Sequence, residues 1–128
     1  MILLNWKHWF ENGNLEGVNT IANHNFNGIS RHYFESGKIK SIENIADGKA
    51  NGEVRNFRED GTIEGVQHYV NGAREGRQVV YFETGKIKVD ANYKGGQPDG
   101  EVKIYNEDGT LFGIKIYKDG QEMSRQKF

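Results

Sequence analysis

Three columns of glycine residues recur at intervals of 24 residues along this chain of 128 residues. The columns are Gly13, Gly37, Gly61, Gly85 and Gly109, then Gly28, Gly52, Gly76 and Gly100, then Gly48, Gly72, Gly96 and Gly120. A fixed period of this length is the signature of a repeat array, which builds an extended surface and not a single pocket. The chain is therefore predicted to be a single repeat domain over residues 1–128, made of about five 24-residue units.

Each unit has the side-chain pattern of a β-hairpin. An aromatic residue stands four positions before each first-column glycine, and a leucine or isoleucine stands two positions after it. These residues are Trp9, Tyr33, Phe57, Tyr81 and Tyr105, and Leu15, Ile39, Ile63, Ile87 and Leu111. Pairs such as Asp47-Gly48 and Asn71-Gly72 favour the positive φ values of type I′ turns, and the glycines are predicted to be turn residues. The pattern predicts an all-β fold, an antiparallel β-hairpin repeat array in a meander or solenoid sheet of up to ten strands.

The first and last units depart from the repeat. In unit one, Leu4 and His24 replace glycines of the second and third columns, and both tryptophans of the chain, Trp6 and Trp9, fall in this unit. At the other end, Ser124 replaces a glycine and the charged tail MSRQKF closes the chain. Repeat arrays need atypical terminal units because their edge strands are otherwise open. Both ends are expected to be capping units, and the alternative for the tryptophan-rich end is a dedicated ligand anchor.

The amino-acid composition disfavours some classes of partner and excludes cysteine chemistry. A hydrophobic content of 35% is low for one thick core and suits a thin sheet. With 17 basic and 18 acidic residues, the net charge of −1 gives no field that would attract nucleic acid. The absence of cysteine excludes disulfides, thiolate metal sites and cysteine nucleophiles. The opening MILLNW lacks the charged start and long apolar segment of a signal peptide, so a cytoplasmic location is expected.

The search for catalytic and metal-binding patterns finds no recognised motif. His8 and His32 share a column, but a separation of two strands predicts about 10 Å between them, too far for a shared metal ion without large tilting of the side chains. The acidic pairs Glu59-Asp60 and Glu107-Asp108 recur at the turn of odd units, where turn chemistry explains them. We therefore expect no cofactor, no metal and no enzymatic activity.

Alternation along the first strand of each unit predicts two unlike sheet faces. One face carries the aromatic column, beside the basic row Lys7, Arg31, Arg55 and Lys103. The opposite face varies from unit to unit, as a partner-specific surface does. Its predicted partner-binding residues are His8, Phe10, His32, Phe34, Asn56, Arg58 and Phe82. Phenylalanines in such numbers cannot all hide behind a single-layer sheet, so this face is interpreted as a protein-binding surface.

Three alternatives remain open for this variable face: a partner surface, a second small core formed by twist, or a homodimer interface. A bulge in the second strand could also change the face assignment, because Val18 and Ile42 break simple alternation. Asp90 stands in the same column as these aliphatic residues and is added to the predicted partner-binding set. A carboxylate there is either exposed by curvature or placed to receive a cationic partner.

The repeated unit resembles a known repeat family. An aromatic-x-E-x-G-x-[IL] unit, followed by a hydrophobic residue eight positions after the glycine and then by [DN]-G-x-x-x-G, is similar to the MORN-repeat variant. The best segments are YFESGKIK, YFETGKIK, YNEDGTLFG and YVNGAREG, and the resemblance runs from Trp9 to about Gly120. It departs in unit one, which lacks the D-G turn, and in unit three, where Arg58 replaces an aromatic residue.

The resemblance also implies a class of function. Bacterial arrays of this type resemble antitoxin components of toxin–antitoxin systems, which implies a protein that binds and neutralises a toxic protein. The family supplies no catalytic residues. The alternative implied by other MORN-type arrays is a scaffold or a membrane-associating module. Membrane binding is disfavoured, since anionic lipid requires a basic cluster and the chain offers only the row that contains Arg31 and Arg55.

Overall fold

The computed structural model describes residues 4–128; the first three residues of the apolar opening lie outside the described residues. The described residues form thirteen β-strands. The bounds are Leu4–Trp9 (β1), Leu15–Ala22 (β2), Asn25–Phe26 (β3), Gly28–Tyr33 (β4), Ile39–Ala46 (β5), Lys49–Phe57 (β6), Ile63–Val70 (β7), Ala73–Arg74 (β8), Gly76–Tyr81 (β9), Ile87–Lys94 (β10), Gln97–Tyr105 (β11), Leu111–Lys118 (β12) and Gln121–Lys127 (β13). Within this described part, no helix has the length and hydropathy that a membrane crossing requires.

All the strands belong to one antiparallel sheet in which sequence neighbours are also sheet neighbours. The order is β1-β2-β4-β5-β6-β7-β9-β10-β11-β12-β13, with the short β3 and β8 paired to β2 and β7. The predicted antiparallel hairpin array is thus confirmed, but the prediction of at most ten strands was wrong. Residues 121–127, which include most of the predicted tail, form a further strand, and breaks at Asn27 and Glu75 divide two strands in two.

Two of the three glycine columns occupy turns, as predicted. Asp47 and Gly48 have φ values of 50° and 78°, and the other third-column pairs have the same signs, which is the type I′ geometry. Unit one keeps this geometry without glycine, because Asn23 and His24 adopt φ values of 53° and 66°. In the first column, the N–H of each glycine closes a four-residue turn, as Gly13 does in donating to the Phe10 carbonyl at 3.0 Å.

The second glycine column lies in bulges within strands, which corrects the prediction that all three columns are turns. Ile45 pairs with Ala50 and Glu43 pairs with Val54, so β6 has two more residues than β5 between these pairs. Gly52 lies in that bulge with a φ of 109°, and its equivalents in the other units also have positive φ. Such a conformation costs little only for glycine, which explains why the column is kept.

A second bulge, at the start of the later strand of each unit, decides which residues share a face. His8 pairs with Gly17 and Trp9 pairs with Leu15, so Glu16 is an extra residue in β2. The equivalent extra residues are Lys40, Glu64, Lys88 and Phe112. Because of this bulge, the aliphatic residues on both of its sides lie on the face of the aromatic column.

We call the face that carries the aromatic column the Trp9 face. The opposite face, the His8 face, carries the row His8, His32, Asn56, Val80 and Ile104. The pairing of these residues through intervening strands confirms the two-face prediction made from alternation.

Most of the buried side chains form a thin band on the His8 face, whereas the buried Val79 pairs with Asp90 and lies on the Trp9 face. Most side chains of this band are small or carry an amide: Asn19, Ser30, Ser41, Val54, Gln78 and Ala91. Gln78 shows why an amide is used, since its side chain accepts from the His68 N–H and donates to the His68 carbonyl where the break before β9 interrupts backbone pairing. No large side chain among the described residues is fully buried. Part of the His8 face therefore does form its own core, one of the alternatives left open above.

Candidate functional site

Seven of the eight predicted partner-binding residues share the His8 face, and Asp90 does not. Asp90 pairs in register with Val79 and Lys103, which places it on the Trp9 face. The Arg77 guanidinium forms a bidentate ion pair with the Asp90 carboxylate, with N–O distances of 3.0 and 2.9 Å. The hydrogen bond to Asp90 and the negative charge of Asp90 raise the pKa of Arg77. Asp90 therefore receives a cation from its own chain.

His8 and His32 lie much closer together than their strand separation suggests. Their ring centroids are 6.1 Å apart in an edge-to-face arrangement, so the predicted 10 Å was wrong. The reason is Gly17, which lies between them in β2. A Cβ atom at Gly17 would overlap the His8 ring, so the missing side chain lets His8 lean across β2. The Asn19 amide donates to Nε2 of His8 at 3.4 Å, and the Glu16 carboxylate lies 3.7 Å from Nδ1.

These two histidines line a cleft of about 480 Å³ at the N-terminal end of the His8 face. The lining residues are Trp6, His8, Asn19, Phe26, Ser30, His32, Glu43, Ile45 and Gly48. Trp6 stacks on Phe26 with 5.4 Å between ring centroids, and Glu43 lies 3.5 Å from Nε2 of His32. We call this the Trp6 cleft. It combines aromatic walls with one carboxylate.

A second feature repeats along the turn edge of the His8 face. Phe34 and Phe82 are half-buried, and a lysine ammonium from the neighbouring bulge lies over each ring, Lys40 at 5.9 Å and Lys88 at 5.7 Å. Phe112, which is exposed, has a similar contact with Lys127 at the C-terminal end. Each ring thus presents an apolar surface beside a positive charge, a combination frequent at protein interfaces.

Arg58 occupies the position of Phe34 and Phe82 in unit three, but its guanidinium bonds within the chain. It donates to the Ile63 carbonyl at 3.0 Å, to the Tyr81 carbonyl and to the Thr62 hydroxyl. Arg58 therefore links the start of β7 to the end of β9. It also lines a shallow cleft of about 500 Å³ with Phe82 and other residues of units four and five. Arg58 therefore has a structural role in addition to its predicted role in partner binding.

The remaining predicted residues have simple positions. Asn56 lies in β6, and its amide donates to the side-chain oxygen of Gln67 on the adjacent β7. Phe10 follows β1 and is half-buried, and its N–H donates to the Asn14 carbonyl across the turn. Along its central row the His8 face thus changes from polar side chains in units one to three to Val80 and Ile104 in units four and five.

The aspartate of each acidic pair at the odd turns has the turn role that was predicted. Asp60 accepts hydrogen bonds from the hydroxyl and the N–H of Thr62, at 2.6 and 2.8 Å. Asp108 is bound in the same way by Thr110, and these bonds hold the pKa of each carboxyl below its ordinary value. Over residues 4–128, no group of three or more histidine or acidic side chains is arranged to hold a metal ion.

The basic row on the Trp9 face is partly neutralised. Arg55 forms an ion pair with Glu53 in the same strand, and Lys103 lies 3.7 Å from Glu101. Such ion pairs lower the local positive electrostatic potential, which is what would attract this face to an anionic membrane surface.

Sequence reasoning included His8 and His32 in the partner-binding set but missed Phe26 and Glu43 of the Trp6 cleft, and it missed Gly17. A signal for it existed: Gly17, Gly65 and Gly113 recur at 48 residues, twice the unit length. All three lack a positive φ, and at each one a Cβ atom would meet neighbouring atoms at less than 3.0 Å. This column is retained for space and not for backbone conformation, unlike the other three.

Comparison with known families identifies the repeat. A family model described as the MORN repeat variant matches residues 26–47, 50–71, 74–94 and 98–119, more than half of the chain. Residues 1–25, which hold Trp6 and His8, and residues 120–128 lie outside the matched segments. A comparison with curated proteins finds no match.

Proposed function

The chain belongs to the MORN repeat variant family, and on that premise we propose that it is a non-catalytic protein that binds a protein partner through its His8 face. Repeats of this family are protein- or membrane-binding modules. A protein partner is favoured over a membrane because Arg55 and Lys103, half of the basic row, already have acidic partners. The proposal assigns no catalytic residue, because repeats of this family are non-catalytic modules.

The observation that carries the proposal is the row of half-buried rings along the turn edge of the His8 face. Phe34 and Phe82 are spaced two units apart with a lysine beside each, so a partner could cover both rings together. Aromatic rings that become fully buried on association supply a large share of binding free energy. The exposed ring of Phe112 extends the same edge towards the C-terminal end.

We extend the proposal to the partner's class: a toxic protein whose active surface the sheet occludes. Its support is the resemblance of such arrays to bacterial antitoxin components. The test is co-expression of this chain with the product of the adjacent open reading frame, with growth as the readout. Growth arrest by that product alone and recovery with this chain would support the extension, whereas a harmless product would remove it and leave partner binding to be tested.

Binding through the His8 face is tested with two variants of β4 and its turn. Phe34→Ala should weaken the complex with that product by about tenfold or more, since truncating a buried aromatic at an interface costs roughly 1.5–3 kcal/mol. Arg31→Ala changes an exposed residue on the Trp9 face of β4, just before Phe34, and should leave affinity unchanged. Isothermal titration calorimetry gives both affinities, and circular dichroism checks that both variants fold. The reverse pattern would transfer the site to the Trp9 face.

A further inference from the structure

We propose that the Trp6 cleft binds an arginine side chain of the protein partner. The inference rests on the proposed function for its biological meaning, but it concerns a site with its own chemistry. The cleft lies at the N-terminal end of the His8 face, where Trp6, His8 and Asn19 come from residues before the first segment that matches the family model. Its other wall, which includes Glu43, lies within that segment. The cleft therefore forms where the unmatched first unit packs beside the first matched repeat.

The walls of the cleft suit a planar cation. Trp6 stacks on Phe26 at 5.4 Å with 21° between the ring planes, and the His8 ring lies 5.8 Å from Trp6. Trp6 is 52% exposed, so a ligand can reach its ring from solvent. A guanidinium group stacks on aromatic faces and is more weakly hydrated than an ammonium group, which makes arginine the better guest for such a site.

The charge of the cleft points the same way. Glu43 is its one carboxylate, and neither lysine nor arginine is among the residues that line it. The Glu43 side chain is 32% exposed and reaches the cleft beside His32, whose Nε2 is 3.5 Å away. A carboxylate next to aromatic rings can receive a guanidinium through two parallel hydrogen bonds while the rings cover its face.

Two small residues keep the cleft open at this end of the sheet. Gly17 lets His8 lean towards His32, and the small buried Ser30 lies beneath them at the position of Trp6 in unit two. Farther along the central row, His8 and His32 are followed by Asn56, Val80 and Ile104, which provide no comparable aromatic and acidic wall. A single arginine would therefore set the position of the partner along the array.

The test uses N-acetyl-arginine amide as the probe, with N-acetyl-citrulline amide as its uncharged counterpart of nearly the same shape. Trp6 and Trp9 are the two tryptophans of the chain, so in the Trp9→Phe protein the fluorescence of Trp6 reports on the cleft alone. The arginine amide should give a saturable change and bind roughly fivefold or more tightly than the citrulline amide. Equal affinities, or no saturable change with the arginine amide, would overturn the proposal.

Three variants in the Trp9→Phe protein locate the effect. Glu43→Gln should abolish the preference for arginine, and Gly17→Ala should weaken binding because its methyl group displaces the His8 ring. Glu64→Gln, which changes an exposed carboxylate in β7 that does not line the cleft, is the control and should bind like the parent. Unchanged preference in Glu43→Gln would contradict the assignment. Because the probe needs no partner protein, failure here is distinct from failure of partner binding in the calorimetric test.

Discussion

His24 holds a backbone conformation that the other units reserve for glycine. Its φ is 66°, against 78° for Gly48 at the same position of the next hairpin. A side chain in this left-handed region costs about 1 kcal/mol or more, so unit one forms its type I′ turn under strain. The histidine that replaces glycine in unit one thus takes up the glycine-like backbone conformation, and the turn type does not change.

We expect His24→Gly to raise the free energy of unfolding by about 1 kcal/mol, because it removes this strain without a buried contact to lose. Urea denaturation followed by circular dichroism measures the change. The matched control is Gly48→His, which should lower stability by a similar amount, since a Cβ atom there meets no other atom within 4 Å and only conformation is affected. A decrease on His24→Gly would mean that the imidazole makes a stabilising interaction.

Asp60 provides a prediction about pH. The Thr62 hydroxyl is the largest cause of its lowered pKa, followed by the Thr62 N–H. Thr62→Val removes the first and keeps the second, so the pKa of Asp60 should rise towards 3.8. Because the folded pKa lies below the unfolded one, these bonds stabilise the turn above the ordinary pKa, and this contribution is lost as pH falls through the folded pKa.

Carboxyl-carbon NMR titration of the Thr62→Val protein measures the shift directly. Asp108, which has the same bonds from Thr110, is the internal control and should titrate as it does in the parent protein. A shift at both residues would indicate a change of the whole sheet, and a shift at neither would show that the N–H bond alone is sufficient.

At the scale of the element, the second glycine column shows how one residue type sets strand geometry. Gly100 lies in a bulge of β11 with a φ of 86°, whereas Ser124 at the same position of β13 lacks a positive φ. The bulge of β13 is correspondingly smaller, with one extra residue between the pairs of Ser124 and Glu122. The bulge next to Ser124 thus contains one extra residue, whereas the bulge at Gly100 contains two.

Exchanging glycine and serine at these two positions should lower the free energy of unfolding in both cases, even where glycine is restored. Gly100→Ser should lower the free energy of unfolding by about 1–2 kcal/mol through conformational strain, since a Cβ there meets no atom within 4 Å. Ser124→Gly restores the column, yet it should lower stability by about 0.5 kcal/mol because β13 is extended there. Thermal unfolding ranks the two variants. A gain on Ser124→Gly would mean that β13 can adopt the larger bulge of β11.

The features that could be predicted from the sequence are those that depend on local residue patterns. The hairpins, the two faces and the I′ turns follow from local patterns at a fixed period, and the structure confirms them. The bulge at Gly52 could not be predicted, because a positive φ is compatible with a turn or a bulge until the paired strand is known. Likewise, strand spacing alone misplaced His8 and His32, since the tilt of a side chain depends on the empty space above Gly17 in the strand between them.

At the scale of the molecule, the two edges of the sheet differ in chemistry. β1 exposes Leu4, Trp6 and Trp9, whereas β13 exposes charged side chains such as Arg125 together with Met123. Charged side chains on an edge strand discourage pairing with other chains, while an apolar edge invites it. Capping by the terminal units and assembly into a homodimer stay predictions, and β1 is the edge at which we expect either.

Because each strand pairs only with its neighbours, the array should tolerate the loss of one complete period. Deletion of residues 56–79 joins Arg55 to Val80, the residue equivalent to Asn56, and removes 24 residues in frame. We expect a folded β-sheet whose free energy of unfolding is lower by about 1–4 kcal/mol. Deletion of residues 57–79 is the control, because one residue more remains inside a central strand and must either reverse the faces or form a bulge. That protein should melt at a lower temperature than the 24-residue deletion.

The 24-residue deletion also separates the two proposed binding features. The Trp6 cleft is built from residues of units one and two, before the deleted segment, so its preference for arginine should persist. The spacing between Phe34 and Phe82 shrinks by one unit, so a partner that covers both rings should bind more weakly. Probe fluorescence and calorimetry measure these outcomes in the same protein. Loss of both would show that the cleft depends on the length of the array, whereas retention of both would show that the partner does not span the rings.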